Sequence, residues 1–320
     1  GFALGERAIN YDQLFNKFFA SSSSNSGNTD RRGFPIVNRA FDPLRQLNTE
    51  FKLSVVVLTY NSEDTIIFCL DSLVNQKNKN FQVIIVDDNS TDKTLQIVNS
   101  YKMNSQLKID IVKNGTHNIS KGRNIGLTSS TTDYVAFLDS DDHADLDWTD
   151  TIIKTFNDRP GTALISGPLL FSARSAVGKA ISVNDATIRK FFGKGVLLFC
   201  TANSAFNKGI LLNEHFFDED FIYAEDLEIA SRLQKRFEWL YVPDMLVYHS
   251  SRETLRGYAL QMYRYGLWKI YYGFVANDYR PIDFLPIVII MFSIFISAMT
   301  ASLVPLLALF IFSFFEYLFV

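Results

Sequence analysis

The stretch Tyr134-Val135-Ala136-Phe137-Leu138-Asp139-Ser140-Asp141-Asp142 decides the fold. Its apolar first part predicts a strand that is buried inside a sheet. Three carboxylates follow, and carboxylates so close together are unfavourable in a core unless solvent or a cation neutralises them. Oxygen ligands at this spacing suit a hard divalent ion such as Mg²⁺ or Mn²⁺. Because such an ion usually bridges the phosphates of a substrate, the stretch predicts an enzyme that handles a nucleotide diphosphate.

Before this strand, apolar runs alternate with helical patterns. The predicted strands are Leu53–Thr59, Phe81–Asp87, residues 107–113 and Tyr134–Asp139, and the predicted helices cover about residues 62–76, from Ser90 or Thr91 to about 103, and 120–127. This alternation predicts right-handed βαβ units on a parallel sheet, with ligands at the carboxyl ends of the strands. Polar residues lie at those ends. We therefore expect a single site built from Thr59-Tyr60-Asn61, Asp87-Asp88-Asn89-Ser90 and the acidic stretch from Asp139 to Asp142.

The second half of the chain has a weaker pattern. Strands are predicted over about residues 163–171 and 201–207, a strand and a turn over about 241–249, a helix over about 224–236 and another over about 254–272. Residues 172–195 are predicted to be a loop because of their Gly and Lys content. Residues 1–50 are predicted to be an extension with a flexible Ser/Asn-rich linker, and residues 51–250 to be the catalytic domain.

The composition excludes some classes of protein. The net charge of −3 and the absence of basic runs beyond Arg31-Arg32 argue against a nucleic-acid partner. The two cysteines, Cys69 and Cys200, have apolar surroundings, which predicts buried reduced thiols and a reducing compartment. The composition does not indicate an oligomeric state.

An apolar run near the end of the chain predicts a membrane segment. No charged residue occurs from Phe284 to Phe315, which is longer than the roughly 20 apolar residues that span a bilayer. We expect residues 251–280 to be an amphipathic interfacial helix and residues 281–320 to be one or two transmembrane helices. Arg264, Lys269 and Arg280 precede the run and no basic residue follows it, so the catalytic domain is expected on the cytoplasmic side.

Five motifs occur in order along the chain. They are Ser54-Val55-Val56-Val57-Leu58-Thr59-Tyr60-Asn61, Val86-Asp87-Asp88-Asn89-Ser90-Thr91-Asp92, Lys121-Gly122-Arg123-Asn124-Ile125-Gly126-Leu127, Phe137-Leu138-Asp139-Ser140-Asp141-Asp142 and Glu225-Asp226. Over about residues 53–270 the chain resembles the family-2 glycosyltransferases, which have a GT-A fold. The resemblance implies an α/β fold of the Rossmann-like GT-A type, with a mostly parallel central sheet flanked by helices.

The resemblance also implies how a nucleotide is bound. Thr59-Tyr60-Asn61 would hold the nucleotide, with the aromatic ring near the base, and Asp88 would accept a hydrogen bond from the imide N–H of uracil. The alternative for Asp88 is a carboxylate at a helix N-terminus, a part that Asp92 fits better. Lys121 and Arg123 would form an anion site near the nucleotide or its diphosphate, and the alternative is a solvated surface pair.

For the metal, the resemblance implies an Asp-x-Asp motif. Asp141 would bind Mn²⁺ or Mg²⁺ directly, and Asp139 would contact the ribose, or the metal through water. Asp142 is expected to be an outer-shell ligand or a helix cap. His249 is expected to be a third metal ligand or a diphosphate contact, and the alternative is a strand-end histidine satisfied by packing.

For catalysis, the resemblance implies that Asp226 is the general base, and repulsion from Glu225 would raise the pKa of Asp226. Gln261-Met262-Tyr263-Arg264-Tyr265 is similar to the Gln-x-x-Arg-Trp motif of cellulose and hyaluronan synthases, with tyrosine in place of tryptophan. Gln261 and Arg264 would then contact the acceptor or the donor diphosphate. The alternative is an aromatic belt at the membrane interface.

Together these features predict a membrane-anchored, metal-dependent, inverting glycosyltransferase. Its donor would be a nucleotide sugar, which the resemblance implies to be UDP-linked, and its acceptor a lipid-linked or glycan molecule at the cytoplasmic face. One alternative is a processive polysaccharide synthase, which needs more membrane helices to build a channel. A second alternative is a non-catalytic nucleotide-sugar-binding scaffold, against which the intact Glu225-Asp226 pair argues.

Overall fold

The structure is a computed structural model that describes residues 51–192 and 199–276. The strands are β1 (Leu53–Thr59), β2 (Phe81–Asp87), β3 (Ile109–Lys113), β4 (Tyr134–Asp139), β5 (Asp142–Ala144), β6 (Leu164–Ser166), β7 (Leu169–Ser172), β8 (Asn203–Asn207), β9 (Trp239–Tyr241) and β10 (Val247–Ser250). The helices are α1 (Ile66–Val74), α2 (Thr94–Asn104), α3 (Ile119–Ser129), α4 (Trp148–Asp158), α5 (Ala176–Phe192), α6 (Lys208–Asn213), α7 (Glu225–Gln234) and α8 (Leu255–Ala276).

A mostly parallel sheet forms the centre of the described chain. Its strand order is β3-β2-β1-β4-β8-β6-β9. The pairs β1–β2, β2–β3, β1–β4 and β6–β9 are parallel, and β8 is antiparallel to both of its neighbours. The predicted α/β class and the mostly parallel central sheet are therefore confirmed.

The register brings the strand ends to one edge of this sheet. Thr59 pairs with Asp87, Asp87 pairs with Lys113, and Asp139 pairs with Leu58, one residue before the end of β1. Side chains that follow these strands therefore start from neighbouring points. The sheet thus gathers the polar clusters predicted from the sequence along a common rim.

A second, smaller sheet carries the histidine of the predicted site. Its order is β5-β10-β7, and β10 is antiparallel to β5. In this register His249 of β10 lies opposite Asp142 of β5. Since Asp142 follows β4 by only a few residues, the small sheet starts at the edge where the large sheet presents its acidic residues.

Close packing of α3 on β1 depends on Gly126. A Cβ atom at this position would lie 2.3 Å from Cγ1 of Val56, a separation that real Cβ atoms do not show. Val56 is fully buried in β1, so the strand has no room to move away. The glycine therefore sets the height of α3 above the sheet, and α3 carries Arg123.

The structure corrects several element predictions, among them the strand over residues 163–171 and the start of the second helix. The single strand predicted over residues 163–171 is two strands, β6 and β7, because the backbone at Gly167 passes so close to Met245 that a Cβ would lie 2.0 Å from its carbonyl oxygen. The helix predicted from Ser90 or Thr91 begins at Thr94. Asp92 accepts the hydrogen bond from the N–H of Thr94, which is the helix-start role expected for it.

The predicted extension over residues 1–50 and transmembrane segment over residues 281–320 lie outside the described residues. Helix α8 lies within the predicted interfacial segment. Among the residues that the structure describes, none of the helices combines the length and the hydropathy that a membrane span requires.

Candidate active site

Asp88, in the turn after β2, is held in place by three hydrogen-bond donors. Its Oδ1 accepts from the backbone N–H groups of Thr116 and His117, each at 3.0 Å, and its Oδ2 lies 3.1 Å from Nδ1 of His117. Asp88 is therefore bound to the loop between β3 and α3, and it does not lie at a helix N-terminus. The sequence analysis missed His117, whose only signal was its place in the turn that follows β3.

Of the residues that follow β1, Asn61 has a structural role and Tyr60 is exposed. The side chain of Asn61 accepts a hydrogen bond at 2.8 Å from the N–H of Thr91, and its own N–H donates to Ser90. Asn61 therefore joins the first two strand-end loops. Tyr60 is 52% exposed, and its ring lies 4.9 Å from that of His117. Thr59 is buried, and its hydroxyl oxygen has no hydrogen-bond partner in the described chain.

The acidic stretch and His249 form a possible metal site. Ligand atoms of Asp141, Asp142 and His249 all lie within 4.8 Å of one another. Asp142 is fully buried, its Oδ1 lies 2.5 Å from Nδ1 of His249, and its Oδ2 has no hydrogen-bond partner among the described residues. A buried carboxylate oxygen with no donor is unfavourable unless a cation is nearby. The two carboxylates and the imidazole therefore fit a divalent cation such as Mn²⁺ or Mg²⁺.

This grouping changes the predicted ligand set. Asp142 is in strand β5 and contacts His249, so it is not a helix cap. Asp142 joins Asp141 and His249 in this group, while Asp139, which was expected to contact the ribose or the metal through water, faces Arg123. Burial raises the pKa of Asp139, and the charge of Arg123 opposes that shift.

The Asp142–His249 pair holds a proton at neutral pH. Burial lowers the pKa of His249, but the hydrogen bond and charge of Asp142, with the charges of Asp141 and Asp139, outweigh this and raise it to about 9. A metal ion that bound the imidazole would have to displace a proton from the pair.

Arg123 is buried between the acidic rim and helix α7. Its side chain is 3% exposed, NH1 forms an ion pair with Glu225, and NH2 lies 4.0 Å from Oδ1 of Asp139. The rings of Phe137 and Phe217 lie 5.9 and 5.6 Å from its guanidinium carbon. The burial of Arg123 excludes the alternative of a solvated surface pair for this residue. Lys121 lies at the start of α3, where its N–H donates to the N-cap Asn118.

Helix α7 begins with Glu225 and Asp226. Glu225 is buried and paired with Arg123, so the repulsion that we expected it to exert on Asp226 is largely compensated. Ala224, before them, has a φ of 59°, a left-handed conformation that is strained for alanine. Asp226 lies close enough to Arg123 and Asp139 to affect both pKa values. The acidic rim and the start of α7 are therefore parts of one electrostatic neighbourhood.

Gln261 and Arg264 are on α8. Gln261 accepts from Nε of Arg252 at 3.1 Å and donates to the hydroxyl of Tyr265 at 2.9 Å. Arg264 lies over the ring of Tyr223 at 5.8 Å. Tyr265 is 54% exposed; the surrounding protein raises its pKa, and the charge of Asp226 contributes in the same direction. Tyr265 therefore links α8 to the neighbourhood of Asp226.

Comparison with known proteins identifies relatives. A family model described as Glycosyl transferase family 2 matches residues 54–212, and one described as Glycosyl transferase family group 2 matches residues 134–320. The poly(ribitol-phosphate) beta-N-acetylglucosaminyltransferase TarS of Staphylococcus aureus is 43% identical over 94 residues, which are 29% of this chain and 16% of TarS. The UDP-Glc:alpha-D-GlcNAc-diphosphoundecaprenol beta-1,3-glucosyltransferase WfaP of Escherichia coli is 39% identical over 106 residues, 32% of this chain and 38% of WfaP.

A solved structure shares the fold. The crystal structure of S. aureus TarS 1-349 in complex with UDP superposes with a TM-score of 0.52 at 24% identity, covering 62% of this chain and 60% of that one. The similarity confirms the GT-A type of fold. The chain spans less than two fifths of the length of either of the two curated relatives described above.

Proposed function

Because this chain belongs to glycosyl transferase family group 2, we propose that it is a metal-dependent, inverting glycosyltransferase. The observation that carries the proposal is the arrangement around Arg123, which brings Asp139 of the acidic rim and Glu225-Asp226 of α7 into one neighbourhood. A donor bound at the rim and a base at the start of α7 would then face each other.

The proposed donor is a UDP-linked sugar. Thr59-Tyr60-Asn61, Asp88, Lys121 and Asp139 line the rim where nucleotide and ribose would bind. WfaP is named for UDP-Glc, and the solved TarS structure contains UDP. Asp88 supports uracil recognition because it can accept one more hydrogen bond. An ionised carboxylate has about four acceptor positions, and the contacts with Thr116 and His117 use three of them. The remaining position on Oδ2 can accept from the imide N–H.

In the proposed reaction, Asp226 accepts the proton of the acceptor hydroxyl as that oxygen attacks the anomeric carbon. The bond from this carbon to the diphosphate oxygen breaks, and the electron pair leaves with the nucleoside diphosphate. A single displacement inverts the anomeric configuration. A divalent cation held by Asp141, Asp142 and His249 would supply positive charge beside the departing diphosphate.

The proposed acceptor is lipid-linked or a glycan, and the proposed location is the cytoplasmic face of a membrane. WfaP is named for a diphosphoundecaprenol-linked acceptor and TarS for poly(ribitol-phosphate). The uncharged run from Phe284 to Phe315 supports an anchor over residues 281–320. Gln261 and Arg264 would contact the acceptor or the diphosphate from α8.

Two substitutions test the catalytic and metal assignments separately. Asp226→Asn should keep UDP affinity and lower transfer about 10²- to 10⁴-fold, because it removes only the base. Asp141→Ala should abolish the part of transfer that Mn²⁺ or Mg²⁺ stimulates. The assay measures UDP released from UDP-sugars with a membrane-lipid extract as acceptor, and Asp158→Asn, at the exposed end of α4, is the control. Full activity in Asp141→Ala would contradict the metal assignment, and loss of donor binding in Asp226→Asn would give Asp226 a structural role.

A further inference from the structure

A chain of two hydrogen bonds at the start of α8 ends at Tyr265. Nε of Arg252, in the segment between β10 and α8, donates to Oε1 of Gln261 at 3.1 Å. Nε2 of Gln261 donates in turn to the hydroxyl oxygen of Tyr265 at 2.9 Å. Gln261 and Tyr265 are four positions apart, a spacing that places both side chains on one face of a helix. The three side chains therefore form one connected unit.

The direction of this hydrogen-bond chain is fixed by the chemistry of its members. A guanidinium has N–H donors and no acceptor, so the side-chain oxygen of Gln261 must face Arg252. The amide nitrogen of Gln261 then faces Tyr265, and because that nitrogen only donates, the phenol oxygen must accept. The proton of the Tyr265 hydroxyl therefore points elsewhere. Among the residues that the structure describes, none accepts this proton.

Tyr265 is accessible and lies beside the start of α7. Its side chain is 54% exposed. Its neighbours on α8 pack against the segment that leads into Asp226, since the guanidinium carbon of Arg264 and the ring of Trp268 each lie 5.8 Å from the ring of Tyr223. The surrounding protein and the charge of Asp226 raise the pKa of Tyr265, so its hydroxyl keeps its proton at neutral pH. The hydroxyl is therefore a permanent donor close to the proposed base.

A base and a hydrogen-bond donor close together suit a molecule that carries two oxygens. In the proposed reaction the acceptor hydroxyl gives its proton to Asp226, which leaves Tyr265 to donate to another oxygen of the same molecule. We propose that Tyr265 binds the acceptor in this way and selects a sugar or polyol over an isolated alcohol. The inference rests on the proposed glycosyltransferase function and adds the chemical class of its acceptor. An alcohol with no second oxygen would leave this donor unpaired.

Two substitutions remove the donor in different ways. Tyr265→Phe deletes the hydroxyl and keeps the ring. Gln261→Glu keeps an acceptor for Arg252, but it replaces the N–H donor with a carboxylate oxygen, which only accepts. The proton of Tyr265 then points to that carboxylate and no longer reaches a ligand. We expect each variant to lower kcat/KM for the acceptor about 10-fold, and the double variant to lose no more than either alone.

Deoxy acceptors give a readout that a purely structural role would not move. The assay uses the full chain, UDP-sugars as donors, and octyl glycosides as acceptors, each intact or with one hydroxyl replaced by hydrogen. With the wild type, one deoxy glycoside should react about 10-fold less efficiently than its parent, because it lacks the oxygen that Tyr265 binds. With Tyr265→Phe, that deoxy glycoside and its parent should react equally.

The matched control is Tyr263→Phe. It makes the same chemical change two positions away, on the opposite side of α8, where the side chain is 64% exposed. Transfer to every acceptor should be unchanged in this variant. The affinities for UDP and for the UDP-sugar, measured by calorimetry with Mn²⁺, should be the same in the wild type, Tyr263→Phe and Tyr265→Phe.

Each contrary result has a definite meaning. If Tyr265→Phe transfers as well as the wild type, or if the losses in the two single variants multiply, the inference is overturned and the proposed function is untouched. Weaker binding of the UDP-sugar to Tyr265→Phe would place the hydroxyl on the donor and also overturn it. So would a wild type that transfers to a membrane-lipid extract but to no octyl glycoside. If the wild type transfers from no UDP-sugar to any acceptor, the proposed function itself is wrong, and the inference fails with it.

Discussion

Arg123 is buried between two carboxylates, with Glu225 as its ion-pair partner and Asp139 at 4.0 Å. A buried charge is tolerated only when it is paired, and two aromatic rings, Phe137 and Phe217, cover this guanidinium. Since Glu225 is the first residue of α7, the ion pair also fixes the start of the helix that carries Asp226. Arg123 is therefore a positioning residue between the rim and the proposed base.

Arg123→Met should be strongly destabilising. Methionine nearly fills the volume but leaves Glu225 buried without its cation, and breaking a buried pair in this way costs about 3–5 kcal/mol. Adding Glu225→Gln should restore much of the free energy of unfolding, because the buried side chain that lost its ion-pair partner is then neutral. Transfer should stay low in the double variant, since α7 has lost its tether. Urea unfolding and UDP release measure the two effects.

The matched control for that prediction is an exposed ion pair. Arg159 and Glu238 lie 2.9 Å apart with side chains 58% and 48% exposed. Arg159→Met should cost less than about 1 kcal/mol. A similar cost for both arginines, or a double variant that recovers full transfer, would contradict the positioning role of Arg123.

At the scale of single residues, short sequence motifs suggest candidate site residues but not the residues that they contact in the fold. Asp88, Asp141 and Asp226 are predicted as site residues from short motifs at strand and helix ends. The partner of Arg123 could not be found in this way, because Glu225 lies 102 positions further along the chain. His117 was missed for a related reason: its significance comes from the contact with Asp88, which only the folded loops create.

At the scale of elements, helix α5 is held at its N-terminus by a residue from outside it. The carboxylate of Glu253 accepts from the N–H groups of Arg174 and Ser175, each at 2.8 Å. Ser175 in turn accepts from the N–H of Gly178. Glu253 lies just before α8, so it joins the starts of two helices. A carboxylate at this position satisfies donors that a helix N-terminus leaves unpaired.

Glu253→Gln should loosen the first turn of α5. The amide keeps the shape of the side chain but loses the charge that strengthens both hydrogen bonds. Hydrogen exchange at the amides of residues 176–179 should become faster, while the amides of β1 and β2 stay protected. Glu238→Gln changes an exposed carboxylate elsewhere and should not affect amide exchange in α5. If Glu238→Gln accelerated exchange in α5 as much as Glu253→Gln does, the effect would not be specific to Glu253.

The same contact predicts a pH dependence. Hydrogen bonds from Arg174 and Ser175 lower the pKa of Glu253 to about 2, below its ordinary value of 4.5. A carboxyl group with a lowered folded-state pKa stabilises the fold above the unfolded value and loses that contribution as the pH falls. The added protection of α5 should therefore be present above about pH 4.5 and disappear toward pH 2. Glu253→Gln should show no such transition.

The prediction of helices and strands succeeded for continuously buried strands. It failed for elements that depend on contacts with distant parts of the chain. Strands β1, β2 and β4 have the predicted bounds, because largely apolar runs form strands that are almost entirely buried. Residues 172–195, predicted as a loop, contain α5. Glycine and lysine within this segment obscured the helix, which depends on Glu253 from another part of the chain. Strand β8 runs antiparallel, an orientation that no local pattern specifies.

At the scale of the whole described chain, the proposed metal site lies where two sheets meet. Asp139 ends β4 of the large sheet, and Asp142 begins β5 of the small one, with Asp141 between them. His249 comes from β10, on the other side of β5. Asp88, the proposed uracil contact, belongs to the large sheet alone. A cation and a nucleoside diphosphate would therefore bind to different sheets and touch each other through phosphate oxygens.

This arrangement predicts that metal and UDP stabilise the chain cooperatively. Each ligand raises the melting temperature by binding the folded state, and a shared metal–phosphate contact makes each bind more tightly when the other is present. A tenfold mutual gain is about 1.4 kcal/mol, which corresponds to roughly 3–5 °C beyond the sum of the separate shifts. Thermal unfolding with Mn²⁺, with UDP, with both or with neither measures this additional shift.

Asp141→Asn should keep the melting-temperature shift caused by UDP alone and lose the additional shift. It removes a metal ligand without leaving the buried Asp142–His249 pair incomplete. Strictly additive shifts in the wild type would mean that the ion and the nucleotide occupy unconnected sites.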